Sequence, residues 1–126
     1  MLSQFNKIAI IAMLFALHVT EEYLTNFIYL DRIFIFLSKP FIYIASPLII
    51  FTVFQIILWT TMISGYFYSK ERNKIKNYLL VISAITLFET HHIIEAIIAK
   101  SYYPGTGTAI FIIIIGLPLL FWRDKK

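Results

Sequence analysis

The apolar positions of this chain fall in long unbroken runs, with polar residues gathered between them. Residues 8–17 are apolar throughout, and the stretches 40–68, 78–88 and 109–122 contain no charged side chain. Runs of this kind approach the roughly 20 residues needed to cross a bilayer. They predict four helices, at 6–28, 40–68, 78–99 and 108–122. A charged loop at 69–77 and the sequence Pro104-Gly105-Thr106-Gly107-Thr108 separate the later ones. In the connector after the first helix, Ile33 to Leu37 is apolar but flanked by Asp31, Arg32 and Lys39. The segment 31–39 is therefore expected to lie at the membrane interface and not to cross. Pro40 suits a first helical turn, which puts Pro47 inside the second span as a kink. The expected fold class is all-α: an integral membrane four-helix bundle, with 1–126 as a single transmembrane domain.

Composition supports this reading. The chain is 60% hydrophobic and only 14% charged, well below the charge of an ordinary soluble domain. Net charge is +4, and its distribution carries more than its size. Four spans put both ends and the 69–77 loop on one side. That side collects Lys7, Lys70, Arg72, Lys74, Lys76, Arg123, Lys125 and Lys126 out of 11 basic residues. The positive-inside rule then places both termini in the cytoplasm, and the expected location is a bacterial plasma membrane. Tyr66, Tyr68, Tyr78 and Trp122 fit the cytoplasmic boundary, and Tyr102 and Tyr103 the opposite one. No basic patch interleaved with polar residues points to nucleic acid; the bilayer is the expected partner. Lys7 followed by 8–17 could mimic a signal peptide, but no small-x-small cleavage site precedes Thr20. There are no cysteines, which excludes disulfides, thiolate metal sites and a cysteine nucleophile.

Against this background two clusters stand out: His18-Val19-Thr20-Glu21-Glu22 and Glu89-Thr90-His91-His92-Ile93-Ile94-Glu95. They hold all 3 histidines and four of the 7 acids. Ionisable groups at membrane depth are expensive, so a functional site is the default reading. On a helix, residues three and four apart share a face. His18 therefore lies beside Glu21 and Glu22, and His92 beside Glu89 and Glu95; His91 faces about 100° away from His92. The first and third helices run in the same direction, and His18 and His92 differ in height by only roughly 5 Å. The two clusters can form one site if the helices pack together.

Three chemistries fit. Neutral imidazole with carboxylate suits zinc, iron or manganese. In that version His18, Glu21, His92 and one of Glu89 or Glu95 are ligands, and Glu22 is either a further ligand or the base that activates a metal-bound water. Glu89-x-x-His92 has the spacing used in di-iron bundles, but those draw carboxylates from four helices, and here the second and fourth have none. A mononuclear site, or a compact two-metal site from two helices, fits better. In the metal-free version Glu22 and His92 shuttle a proton between substrate atoms, as in an isomerase. In the third, His–Glu pairs only join helices; seven ionisable residues are too many for that role alone. The favoured reading is an enzyme acting on a lipid-like or otherwise apolar small substrate. A non-enzymatic interaction subunit would need no clustered acids, and an ion or proton pathway should be polar along a whole helix face. Gln55 reads as an interhelical hydrogen-bond donor.

With these residues in view, the chain resembles the HXXEE family of small integral membrane proteins. His18-Val19-Thr20-Glu21-Glu22 matches the family's eponymous motif. Pro104-Gly105-Thr106-Gly107-Thr108 matches its Pro-Gly-x-x-Thr motif. The family's Asn-Ala-x-x-His is matched only at His92, with Phe88 and Glu89 in place of Asn and Ala. The resemblance implies an active site at the HXXEE motif and no particular reaction.

Overall fold

The computed structural model of the chain describes residues 4–118, and every regular element among them is helical. Helix α1 (Gln4–Leu24) stops four residues short of the expected boundary. Asn26 takes a left-handed conformation, φ 60°, which asparagine tolerates better than most residues. The chain turns there into the short α2 (Phe27–Leu30) and then α3 (Arg32–Ser38). Asp31 caps α3, accepting the Phe34 N–H at 2.6 Å. Pro40 sits in a 3-10 turn, Lys39–Phe41, and not in the second long helix.

That helix, α4, spans Pro47–Glu71. Pro47 is therefore at its first turn and kinks nothing. Ser46 supplies the reason: its hydroxyl accepts the Ile49 N–H at 3.4 Å, and a serine cap followed by proline is a strong helix start. Asn73 is left-handed, φ 54°, in the turn that follows. The expected third helix starts at 75 rather than 78 and is in two pieces, α5 (Ile75–Phe88) and α6 (Thr90–Ala99), joined at Glu89. There the His92 N–H reaches the Glu89 carbonyl, an i→i−3 bond of 3.3 Å. The last described helix, α7 (Thr106–Phe111), starts two residues early and widens into a π turn at Ile112–Gly116. The expected helix end at Trp122 lies outside the described residues, as do Arg123, Lys125 and Lys126.

Two apolar clusters bracket the polar middle. One gathers Ile11, Phe15, Met62, Tyr78, Ile82 and Ile112. The other gathers Phe27, Ile28, Phe34, Ile50 and Phe51, so α2 and α3 fold back over the start of α4. Tyr78, expected at a membrane boundary, is buried in the first cluster. The close backbone pairings near the polar residues are α1 with α7 and α6 with α7. α7 thus packs against both helices that carry the clusters.

Two helices among the described residues are long and apolar enough to cross a membrane, Pro47–Glu71 and Ile75–Ala99, with mean hydropathy 1.9 and 1.4. Only 17% and 22% of their apolar windows are buried inside the molecule. A core helix of a soluble protein would be mostly covered; these leave their apolar surface outward.

Candidate metal centre

His18 and His92 meet. Their Nε2 atoms are 3.2 Å apart, and the residues are 2% and 0% exposed. The surroundings fix which nitrogen of each ring carries hydrogen. His92 Nδ1 lies 2.6 Å from the Pro104 carbonyl, which can only accept, so Nδ1 is the donor. His18 Nδ1 lies 2.7 Å from the Thr108 hydroxyl. That hydroxyl gives its own hydrogen to Glu21 Oε2, so it accepts from His18. In the neutral rings both Nε2 lone pairs therefore face one another. Such an arrangement repels itself unless a cation lies between or one Nε2 takes up a proton.

Two carboxylates complete the group. Glu89 Oε2 is 2.9 Å from His18 Nε2 and 3.3 Å from His92 Nε2. Glu22 Oε1 stands further off, 3.6 Å and 3.5 Å from the same two nitrogens. Ligands about 2.0–2.1 Å from one tetrahedral ion are roughly 3.3 Å from each other. The spacings from 2.9 to 3.6 Å straddle that edge. These buried groups could hold a metal ion. Glu89 arrives here because it lies three residues before His92 on the same helical face.

Glu21, expected among the ligands, is engaged elsewhere. Its oxygens accept the N–H groups of Gly107 (3.1 Å) and Thr108 (2.7 Å), the Thr108 hydroxyl, and the Tyr102 hydroxyl. A carboxylate on the first amides of α7 satisfies donors that the helix cannot pair itself and opposes its dipole. Through Thr108 it also sets the orientation of His18. Partners on the second nitrogen of a metal-binding histidine have this effect in general. Glu95, half-buried one turn beyond His92, belongs to neither of the ligand-atom groups found among the described residues.

The Pro104–Thr108 turn closes the site from one side. Gly105 has φ +83°, and a Cβ there would lie 2.7 Å from His92 Nδ1 and 2.8 Å from His18 Cε1. Only glycine both adopts this angle and leaves room for the two rings.

Asp31 is the residue the pattern of the sequence did not single out. It flanks an apolar run and reads as a boundary charge, yet it is 1% exposed. Its carboxylate accepts from the Phe34 N–H and, at 2.9 Å, from the Tyr103 hydroxyl. It faces His91 Nε2 at 3.4 Å. Burial alone would push this carboxyl up; the His91, Phe34 and Tyr103 groups outweigh burial and hold it below the usual range. Burial and the neighbouring Asp31 charge both push the Tyr103 hydroxyl up. His91 is angled from His92, their ring centres 3.9 Å apart.

His18, Glu22, Asp31, Glu89, His91 and His92 open on a cavity of about 370 Å³. Most of the rest of its lining is apolar, including Phe15, Phe27, Phe34, Phe51, Phe54 and Leu58. Gln55 is the polar exception, and its Oε1 is buried without a hydrogen-bond partner.

The fold and the site together define an all-helical protein built around a buried histidine–carboxylate centre. The chain matches the family described as "protein of unknown function with HXXEE motif" over residues 9–122, and it belongs to that family. No curated protein and no solved structure matches it.

Proposed function

We propose that this protein is an integral membrane metalloenzyme acting on an apolar, lipid-like small substrate. The observation that carries the reading is the convergence of His18 Nε2, His92 Nε2 and Glu89 Oε2, with both Nδ1 atoms committed to other partners. Two imidazoles and one carboxylate are a ligand set of catalytic zinc sites, which keep a fourth position open. Iron and manganese suit the same donors. A divalent ion at these atoms supplies Lewis-acid polarisation.

The protein's own residues do the rest. Glu22, the most distant of the four groups, is the base: it stands beside the centre, 5% exposed, and takes a proton from substrate or water. The phenylalanine walls exclude water and hold an apolar body. Gln55 Oε1, unpartnered, is available to a polar group of the substrate. Glu21 and Thr108 keep His18 in place.

The same reading places the molecule in a lipid bilayer as a four-helix bundle. α1, α4, α5 with α6, and the helix that starts with α7 are its four spans, both termini are cytoplasmic, and a bacterial plasma membrane is the location. The exposed apolar faces of α4 and α5–α6 support it. The chain has no cysteine, so single introduced thiols report sidedness cleanly. Arg72→Cys should be shielded from an impermeant maleimide in intact cells and Lys39→Cys labelled; the opposite pattern inverts the topology.

The test of the centre is metal analysis of the detergent-purified chain. It should carry a transition metal that His18→Gln with His92→Gln abolishes. Glu22→Gln should keep the metal and lose about 10²-fold or more of any activity found. A native protein free of metal, unable to take it up, with function still dependent on Glu22, would replace this reading with proton transfer between Glu22 and His92.

A further inference from the structure

The cavity holds a second group of donors that the centre above does not use. His91 Nδ1 lies 2.9 Å from the Phe88 carbonyl, which can only accept, so in the neutral ring its lone pair is on Nε2. That Nε2 is buried and has no hydrogen-bond partner. It faces Asp31 Oδ2 at 3.4 Å. Two ligands of one ion stand roughly 3.3 Å apart.

We propose that His91, Asp31 and Glu89 form a second divalent-cation position, so that the centre takes two ions with Glu89 shared between them. This rests on the metal reading of the His18–His92 group. Three observations support it. Ligand atoms of Glu89, His91 and His92 lie within 4.8 Å of one another, so the second position adjoins the first. Glu89 uses Oε2 toward His18 and His92, and a carboxylate has another oxygen; two-metal centres hold their ions about 3.5–4 Å apart. Asp31 is held in place by the Phe34 N–H and the Tyr103 hydroxyl. Such bonds orient a ligating carboxylate.

The donor set spans α1, α6, the α2–α3 corner and the Glu89 break. It therefore exists only in the folded chain. It also changes what the site can do: paired ions can clamp the attacking and leaving oxygens of an ester-like or phosphoester-like group while the apolar wall holds its tail.

The experiment is a stoichiometric titration of the full chain in detergent, stripped by chelator and reloaded with zinc alone, read by elemental analysis. The same preparation loaded with manganese is read by electron paramagnetic resonance. The native protein should take two equivalents, with spin coupling between the manganese ions. Asp31→Asn and His91→Gln should each take one equivalent, lose the coupling, and keep native helicity and elution. A native chain that takes one equivalent overturns the second position and leaves the first standing. So does a native count of two that neither variant lowers. A native chain that takes none overturns the second position and the metal reading together.

Discussion

On one face of α1, Leu14 and Ile11 pack on Gly116, whereas two turns from Leu14 it is Glu21 that packs on Gly107. The same helix meets the same partner at both places, yet the glycines serve different neighbours. A Cβ on Gly116 would meet Leu14 Cδ1 at 3.7 Å and Ile11 at 4.0 Å, ordinary contact distances. A Cβ on Gly107 would meet Glu21 Oε1 at 3.1 Å. At the apolar end the small residue is a convenience of packing. At the polar end it lets a carboxylate reach the backbone amides, and the carboxylate then holds the Thr108 hydroxyl against His18. One contact between helices is thus adhesive at one end and an alignment device at the other.

The sharpest way to break this contrast is Gly105→Ala, between the two imidazoles. The left-handed angle alone costs about 1–2 kcal/mol for an alanine, and the rings at 2.7–2.8 Å must also move. Metal content should fall at least about tenfold, with a lower melting temperature in detergent; full retention of both would remove the turn from the site. Next is Glu21→Gln. The amide can still accept one N–H but loses its charge at the helix start, and the Thr108 hydroxyl is freed to rotate. A loss of about 1–2 kcal/mol is expected, with weakened but measurable metal binding. Abolished binding in a folded variant would make Glu21 a ligand after all.

The two remaining substitutions sharpen the comparison by sign. Alanine is favoured over glycine in a helix by up to about 1 kcal/mol. At Gly107 the Glu21 oxygen has to yield, so that gain should be cancelled and metal affinity should drop several-fold. At Gly116 nothing has to yield, so the gain should appear as unchanged or raised thermal stability, within about 1 kcal/mol, and metal binding should not move. Equal responses at the two glycines would show that the polar end constrains nothing.

Part of this architecture is legible from residue order. Counting turns from the ends of two parallel helices puts His18 and His92 at one depth, and the structure has their rings in contact. The glycines of 104–108 mark a turn, and the turn lies against both rings. Other parts depend on choices the pattern leaves open. Pro40 and Pro47 both suit a helix start, and Ser46 decides for Pro47 through one hydrogen bond. Glu21 and Glu22 both lie beside His18 on a helical wheel. Which one meets the amides of α7 depends on where that helix packs. Asp31 reaches the cavity only because Asn26 reverses the chain, and a single asparagine in an apolar sequence does not announce a left-handed turn. Glu89 and Glu95 both lie beside His92 on a helical wheel, and it is Glu89 whose carboxylate meets the two imidazoles.

The π turn at Ile112–Gly116 has a consequence for the spacing of the whole last helix. A π turn takes up one residue more than the α-helix it interrupts. Its four consecutive isoleucines are nearly interchangeable in chemistry, so what matters is their number. Together they act as a phase setter between two docking points on α1, Gly107 at one end and Gly116 at the other. Were the same residues wound as a regular α-helix, everything beyond them would be rotated by about 100°. Either the amides would stay on Glu21 and Gly116 would swing away, or the reverse. Substitution within this stretch, or removal of one isoleucine, should therefore be forgiven where a further inserted residue is not.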